Sequence, residues 1–342
     1  MKRSAKRRVP IHSQSNKYDP VATRETTSNR GTLAGRCFLS VMDFDPEDLE
    51  HNLSLAETLK HNRRLGIETA SSAALEGTYV AILFEKPSLR TRSTFEIAIR
   101  ELGGDFIDPS ADVALGTRES LADVGRSLER WVAGAVVRTY EQERIVDLAM
   151  ATHKLRVINA LTNEEHPCQA LADCLTLRER WGEVQGRRVA FVGDGNNVAH
   201  SFVQAATMLG ITVNIASPDG FELSKKVEKD VSKIALHGAE LRRFSNPVDA
   251  VRNVDAVYTD AWTSMGQKTE ESVRNLLFSP YQVNDELMAY AKSDACFMHC
   301  LPAHRGEEVT DNVIDGPQSV VFDQAENRLH TQKALLLMLF ED

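Results

Sequence analysis

The chain has 342 residues, of which 42% are hydrophobic and 26% charged, and its formal net charge is −9. This length favours two domains, and the composition is typical of a folded globular protein. The negative charge argues against a general nucleic-acid binder, and no apolar run approaches the roughly 18 to 20 residues that span a bilayer. Five sparse cysteines without a zinc-like His/Cys spacing indicate reduced thiols, a cytoplasmic protein and no metal site.

Residues 1–35 differ from the rest of the chain because they are basic and polar, with few large apolar side chains. Such a segment buries too little surface to offset its ordering entropy, so we predict a disordered extension. It lacks the apolar core of a secretory signal, while an organelle transit peptide remains an alternative. The folded part is predicted to begin near Arg36.

Beyond this extension, apolar runs of strand length alternate with amphipathic helical stretches. Strands are predicted at 78–84, 133–139, 156–160, 187–194, 212–218, 255–261 and 295–301. Helices are predicted at 45–64, 93–104, 120–131, 143–152, 198–210 and 329–340, and one more follows Pro167. The alternation predicts an α/β fold of two domains, each a parallel sheet flanked by helices, with a Rossmann-like second domain. The polar segment 178–188 is the predicted boundary.

A cluster of cationic and hydroxyl side chains lies where the strand 78–84 gives way to a helix. It consists of Lys86, Ser88, Arg90, Thr91 and Arg92. A helix N-terminus attracts anions, hydroxyl groups donate hydrogen bonds, and the planar guanidinium of Arg90 fits phosphate oxygens. We therefore predict an anion site here, in preference to a solvated basic turn.

Four more polar clusters follow predicted strands, where open parallel sheets bind their ligands. Arg138 ends one strand, and His166 and Gln169 open a helix, where they can reach an oxyanion and a small polar group. Asp260 offers a carboxylate to an amine, and Cys300 ends the last strand. Each residue alone also has an ordinary structural explanation, such as a capping histidine or a buried thiol.

The glycine turn "VGDGNN" resembles a dinucleotide fingerprint, but Val198 stands where the third glycine would fall. Asn196 and Asn197 can instead hydrogen-bond a zwitterionic ligand. A nicotinamide-dependent dehydrogenase stays open as an alternative at this point.

Taken together, "SLRTR", "HPCQ", "DAWTSMGQ", "HCLPAHR" and "ENR" occur in the order and spacing of one family. From about residue 36 to its end, the chain resembles the aspartate/ornithine carbamoyltransferases, and "SMG" and "HCLP" resemble the ornithine-specific members. The resemblance implies a carbamoyl phosphate-binding domain at 36–180, an ornithine-binding domain at 181–325 and a last helix, 326–342, that packs back on the first domain. It further implies a homotrimer that needs no cofactor or metal and makes citrulline and phosphate from carbamoyl phosphate and ornithine for arginine biosynthesis.

The resemblance also implies roles for individual residues. Carbamoyl phosphate would contact Ser88, Leu89, Arg90, Thr91, Arg138, His166, Gln169, Cys300, Leu301 and Arg328. Ornithine would contact Asn197, Asp260, Ser264 and Met265. The groups expected to act in catalysis are Arg138, His166, Gln169, Asp260 and Cys300.

Two positions depart from the pattern that the family usually shows. Leu89 replaces a threonine, although its backbone N–H remains available. Ala114 replaces a glutamine that reaches a neighbouring subunit's ligand, and Arg118 in the same loop is a candidate substitute. The second departure concerns the inter-subunit part of the site and not the reaction type. Separately, another acceptor, namely N-acetylornithine, putrescine or aspartate, stays an alternative to ornithine, although "SMG" speaks against it.

Overall fold

The computed structural model describes residues 35–110, 115, 119–263 and 271–340. In these ranges nine strands form two sheets in which every pairing is parallel. The first sheet, in the order β2-β1-β3-β4, contains β1 Tyr79–Phe84, β2 Asp105–Ile107, β3 Gly134–Arg138 and β4 Arg156–Leu161. The second, in the order β7-β6-β5-β8-β9, contains β5 Arg188–Val192, β6 Thr212–Ala216, β7 Leu241–Phe244, β8 Ala256–Thr259 and β9 Cys296–His299. The predicted α/β class with two parallel sheets is confirmed.

Helices connect and cover the strands. They are α1 Pro46–Leu65, α2 Leu89–Glu101, α3 Leu121–Leu128, α4 Gln142–Met150, α5 Pro167–Trp181, α6 Asn197–Met208, α7 Lys225–Ile234, α8 Pro247–Val251, α9 Glu271–Phe278, α10 Asp285–Met288, α11 Asp311–Ile314 and α12 Val321–Phe340. None of the helices in the described ranges is long and apolar enough to cross a membrane.

All seven predicted strands are present, and the two that the sequence did not predict, β2 and β7, lie at sheet edges. Neither contains a fully buried residue. Edge strands bury one face or less, so they lack the continuous apolar run that identifies a central parallel strand.

The first sheet is covered on both faces. Along β1, Val80 and Ile82 belong to the larger apolar core, and Ala81 and Leu83 belong to a separate core on the opposite face. This alternation follows from the two-residue period of a strand. Burying each large aliphatic side chain contributes about 1.5–3 kcal/mol to folding.

The last helix, α12, lies against α1, α2 and α5. It begins at Val321, earlier than predicted, because its first turns are polar yet buried. Lys333 Nζ donates to Glu101 of α2, and Lys60 Nζ of α1 donates to the Asn327 amide oxygen at 2.7 Å. These contacts bring the end of the chain against helices that pack on the first sheet.

Candidate active site

The N-terminus of α2 lies directly after β1. The helix begins at Leu89, four residues before the predicted start, so Leu89, Arg90 and Thr91 belong to its first turn. Backbone N–H groups in a first turn have no acceptor within their own helix, and the helix dipole is positive there. Ser88 precedes the helix with extended backbone, and its side chain makes no capping hydrogen bond. The turn therefore presents amide and hydroxyl donors together.

Two guanidinium groups lie close to this turn, that of the buried Arg328 and that of the half-buried Arg138. Arg328 of α12 is 2% exposed and donates to Thr91 Oγ1 at 3.0 Å and to Gln169 Oε1 at 2.5 Å. Burial, followed by the charge of Arg328, lowers the pKa of Arg138 to about 10, so this guanidinium stays cationic at neutral pH. An arginine side chain keeps its charge in proteins, so Arg328 is cationic as well. Within the described ranges, the Nε atoms of both arginines lack hydrogen-bond partners. No carboxylate of the described residues forms an ion pair with either guanidinium, and such unpaired cations favour binding of an anion.

The imidazole of His166 adjoins these cations at the start of α5. Burial, the charge of Arg328 and that of Arg138 hold its pKa well below the usual range. The ring is therefore neutral at pH 7 and has one N–H to donate. Its Nδ1 has no partner among the described residues, while its backbone N–H donates to Ser201 Oγ at 2.9 Å. A neutral imidazole beside two guanidinium groups is suited to hydrogen-bonding a developing oxyanion.

A buried carboxylate orients Gln169. Asp173 Oδ1 accepts the Gln169 and Gln324 amide N–H groups, each at 2.7 Å, and Asp173 Oδ2 accepts the Tyr258 hydroxyl at 2.9 Å. Gln324 in turn accepts the backbone N–H of His299 at 3.0 Å. Because Asp173 takes the Gln169 N–H group, the Gln169 carbonyl oxygen is turned toward Arg328. The carboxylate thus joins α5 and α12 to β8 and β9.

On the second sheet, Asp260 follows β8 and Cys300 follows β9. The Cys300 thiol donates to Asp260 Oδ1 at 2.9 Å, and Asn196 Nδ2 donates to Asp260 Oδ2 at 2.8 Å. Burial and the Asp260 carboxylate raise the pKa of Cys300 well above its usual range, so it is a thiol at neutral pH.

The remaining predicted residues fall into two groups. Asn197, the first residue of α6, donates through its side chain to the Thr162 carbonyl at 2.5 Å. Leu301 has a left-handed backbone (φ 59°), and its N–H donates to His299 Nδ1 at 2.9 Å. The predictions for Ser264 and Met265, and those for Ala114 and Arg118, lie outside the described residues.

Sequence reasoning missed several residues that position the site. Asp173 and Gln324 have little local signal, because Asp173 meets Gln324 and Tyr258 across 151 and 85 positions of the chain. Arg274 of α9 forms an ion pair with Asp194 and donates to the Trp262 carbonyl at 2.6 Å. Through these contacts Arg274 holds the segment that follows Asp260 against the turn that contains Asp194.

Two groups in the described ranges have metal-ligating atoms within 4.8 Å of one another. They are Asp260 with His299 and Cys300, and His304 with Glu307 and Glu308. Hydrogen bonds already engage much of both groups: Cys300 donates to Asp260, and Glu308 Oε1 accepts the backbone N–H of His304.

The fold and the site define an α/β protein in which a cationic pocket at one parallel sheet meets a carboxylate–thiol pair at another. Two family models match. The carbamoyl-P binding domain of the aspartate/ornithine carbamoyltransferases matches residues 36–179, and their Asp/Orn binding domain matches residues 185–339.

Curated and solved relatives agree with the family models. The ornithine carbamoyltransferase of Thermococcus kodakarensis is 47% identical over 310 residues, which are 90% of this chain and 97% of the relative. The solved ornithine carbamoyltransferase from Pyrococcus furiosus superposes with a TM-score of 0.86 at 45% identity, covering 91% of this chain and 98% of that one. The structure from Thermus thermophilus gives 0.79 at 41%, with 89% and 98% covered. The chain belongs to the aspartate/ornithine carbamoyltransferase family.

Proposed function

We propose that the chain transfers the carbamoyl group of carbamoyl phosphate to the side-chain amine of L-ornithine, giving L-citrulline and phosphate. The observation that carries this proposal is the placement of the buried Arg328 and the half-buried Arg138 beside a neutral His166 and the N-terminus of α2. Such a pocket suits a small ligand with an anionic end and a polar carbonyl end. The names of the relatives, all ornithine carbamoyltransferases, support the same substrate pair.

Carbamoyl phosphate is assigned to the first sheet. Its phosphate would accept hydrogen bonds from Ser88, Arg90 and Thr91 and from the backbone N–H of Leu89. Its carbonyl oxygen would lie near Arg138 and His166. The Gln169 oxygen and the backbone carbonyls of Cys300 and Leu301 would hold the carbamoyl nitrogen, with Arg328 over the ligand.

Ornithine is assigned to the second sheet. Its amino-acid end would meet Asn197, Ser264 and the main chain of Met265, and its side-chain amine would approach Asp260 and Cys300. The amine must be neutral to attack, although its unperturbed pKa is about 10.4. Desolvation in the closed site favours the neutral form, whereas a carboxylate alone favours the charged form. The proposal therefore gives Asp260 and Cys300 the task of orienting the amine.

In the reaction, the neutral amine nitrogen attacks the carbamoyl carbon and forms the C–N bond. Negative charge develops on the carbonyl oxygen, where Arg138 and His166 donate hydrogen bonds. Each donor of this kind typically lowers the barrier by about 3 kcal/mol. The bond between carbon and the phosphate oxygen then breaks with its electron pair on that oxygen, the nitrogen passes its proton to the phosphate, and the phosphate departs toward Arg90.

We also propose a homotrimer in the cytoplasm that serves arginine biosynthesis. All five cysteines in the described ranges are free thiols, in keeping with a reducing compartment. One relative of the chain, from Pyrococcus furiosus, is named an anabolic ornithine carbamoyltransferase and is 46% identical over 310 residues.

The dehydrogenase alternative meets an obstacle in the glycine turn before α6. Gly195 donates to the Phe221 carbonyl at 2.8 Å, and a Cβ built on Gly195 would lie 2.5 Å from the Leu223 nitrogen. Backbone thus packs against the turn that a dinucleotide's pyrophosphate must approach. The proposal accordingly names no cofactor.

The experiment is a colorimetric assay of the ureido product, with carbamoyl phosphate and each of ornithine, N-acetylornithine, putrescine and aspartate in parallel. Product with ornithine alone is expected. Product with another amine alone would support the assignment of the anion pocket but contradict the assignment of ornithine as the acceptor. No product with any amine, from a folded protein, would contradict the proposed function.

A further inference from the structure

A second carboxylate, Glu165, lies next to His166 and has no part in the mechanism above. Its side chain accepts three hydrogen bonds: Ser40 Oγ donates to Oε1 at 2.6 Å, Ser201 Oγ donates to Oε2 at 2.9 Å, and the Val41 N–H approaches Oε2 at 3.4 Å. The residue is only partly buried, yet its carboxylate is enclosed by donors from two other parts of the chain.

Those donors belong to different units of the fold. Ser40 precedes a short helical turn, and nearby Phe38 forms a parallel bridge with Ile158 of β4, so this segment is part of the first sheet's unit. Ser201 lies within α6, which follows β5 of the second sheet. Glu165 therefore joins the two units beside the imidazole of His166.

The Ser201 hydroxyl connects Glu165 to His166. It accepts the His166 backbone N–H at 2.9 Å and donates its own hydrogen to Glu165. A serine hydroxyl has one hydrogen to donate, so accepting from His166 and donating to Glu165 fit one orientation. The Glu165 carboxylate selects that orientation, because a carboxylate can only accept.

We propose that Glu165 is a positioning residue that, through Ser201, fixes the backbone of His166 and holds it in register with both substrate-binding units. The inference rests on the proposed function, in which the first unit holds the carbamoyl donor and the second holds the amine. Misplacing an oxyanion donor by an ångström costs much of its effect. Glu165 is thus expected to act on kcat more than on KM.

The pH dependence gives a signature of this role. Burial, with a smaller contribution from the nearby Asp43 carboxylate, raises the pKa of Glu165 to about 7, although the hydrogen bonds from Ser40, Ser201 and Val41 act in the opposite direction. Other titratable side chains around this turn are the exposed Glu164, His166 just before α5 and His200 on α6, and burial lowers the pKa of both histidines. Above pH 7 the ionised Glu165 can accept from all three donors; below it, a proton occupies one acceptor position.

The test compares Glu165→Ala, Ser201→Ala and the double variant with the parent in the ornithine assay. Both single changes are expected to lower kcat about tenfold and to leave KM for carbamoyl phosphate within about twofold. The double variant should be no slower than either single variant, because both changes break one connection. Glu164→Gln, a change at the exposed neighbouring carboxylate, is the matched control and should behave as the parent.

Two more readouts separate positioning from simple stability. The ratio of parent kcat to Glu165→Gln kcat should rise between pH 6 and 8, a comparison that cancels the titration of the substrate amine. The His166 amide resonance in 15N-labelled protein should titrate with a midpoint near pH 7 in the parent and not in Glu165→Gln. Unchanged kcat in Glu165→Ala would overturn the inference. A His166 amide resonance that is the same in the parent, in Glu165→Ala and in Glu165→Gln would overturn it as well. If the parent is inactive with every amine, the proposed function is refuted. The titration of the His166 amide resonance would still show whether Glu165 acts on His166 through Ser201.

Discussion

At the end of the first sheet, the buried Nε atoms of Arg138 and Arg328 find no acceptor in the described ranges, and the buried Nδ1 atom of His166 has no hydrogen-bond partner there. At the end of the second sheet, both oxygens of Asp260 already accept hydrogen bonds, from Cys300 and Asn196. The first region therefore has unused polar atoms that suit a bound anion. The second is an internally satisfied network that an incoming amine must rearrange.

The difference between the two regions predicts that an anion gains more on binding to the first than an amine gains on binding to the second. Buried donors without acceptors cost free energy that an anion with several oxygens can recover. An amine gains less, because it must compete with a thiol and an amide for Asp260. We therefore expect substitutions in the first region to damage the reaction most, and those in the second to weaken ornithine use selectively.

The largest effect is expected for Arg90→Ala. It removes a guanidinium from the first turn of α2, and kcat/KM for carbamoyl phosphate should fall at least about a hundredfold, while the melting temperature stays within a few degrees. Arg242→Ala, at an exposed arginine on β7 paired with Glu240, is the matched control. Steady-state kinetics that retained more than a tenth of parental activity would contradict the anion assignment.

His166→Ala should lower kcat about a hundredfold through loss of an oxyanion donor. It should also change acid stability. The folded pKa of His166 lies well below its unfolded value, so its contribution is fully present above about pH 6.5 and is lost as pH falls below that. The variant should accordingly lose less thermal stability than the parent between pH 7 and 5. Equal losses in parent and variant, with exposed His153→Ala as control, would show that His166 is not buried neutral.

Cys300→Ser is expected to act on ornithine alone. Serine keeps a donor for Asp260 but shortens its reach, so KM for ornithine should rise about tenfold, with kcat reduced less. Because the raised pKa keeps Cys300 as a thiol, alkylation by iodoacetamide at pH 8 should be slow. Cys37→Ser, at a partly buried thiol outside the site, is the control. A larger effect on KM for carbamoyl phosphate than for ornithine would break the division between the two regions.

The smallest effect is expected for Asp173→Asn. The amide oxygen can accept from Gln169 and Gln324 as Oδ1 does now, and the new NH2 can donate to the Tyr258 oxygen, so kcat should fall less than tenfold. Burial raises the pKa of Asp173 to about 6, so its contribution to stability is present below its unfolded value of about 3.9 and is lost as pH rises through 6. The variant should gain melting temperature relative to the parent between pH 5 and 8. A relative loss over that range would mean that the ionised carboxylate stabilises the fold.

Much of the fold was predictable because central parallel strands are continuous apolar runs, and the polar clusters at their C-terminal ends could be read from the sequence. The start of α2 was predicted too late, since "LRTR" looks polar although it forms the first helical turn. The edge strands β2 and β7 carried no apolar signal.

Contacts between distant segments could not be predicted. Asp173 meets Gln324 across 151 positions of the chain, and Ser40 meets Glu165 across 125. Such pairs follow from the way the helices pack around the two sheets, which no local pattern encodes. The sequence therefore supplied the ligand-facing candidates, while the residues that orient them required the structure.

The most direct test of the account is calorimetric titration with phosphonoacetamide, a non-transferable analogue of carbamoyl phosphate, in the absence of any amine. The account predicts that the analogue binds the parent chain and that Arg90→Ala and Arg328→Ala each weaken its binding at least about a hundredfold. Cys300→Ser should bind it as the parent does. Equal binding by the parent and both arginine variants would contradict the claim that the arginine side chains of the first region form the anion site.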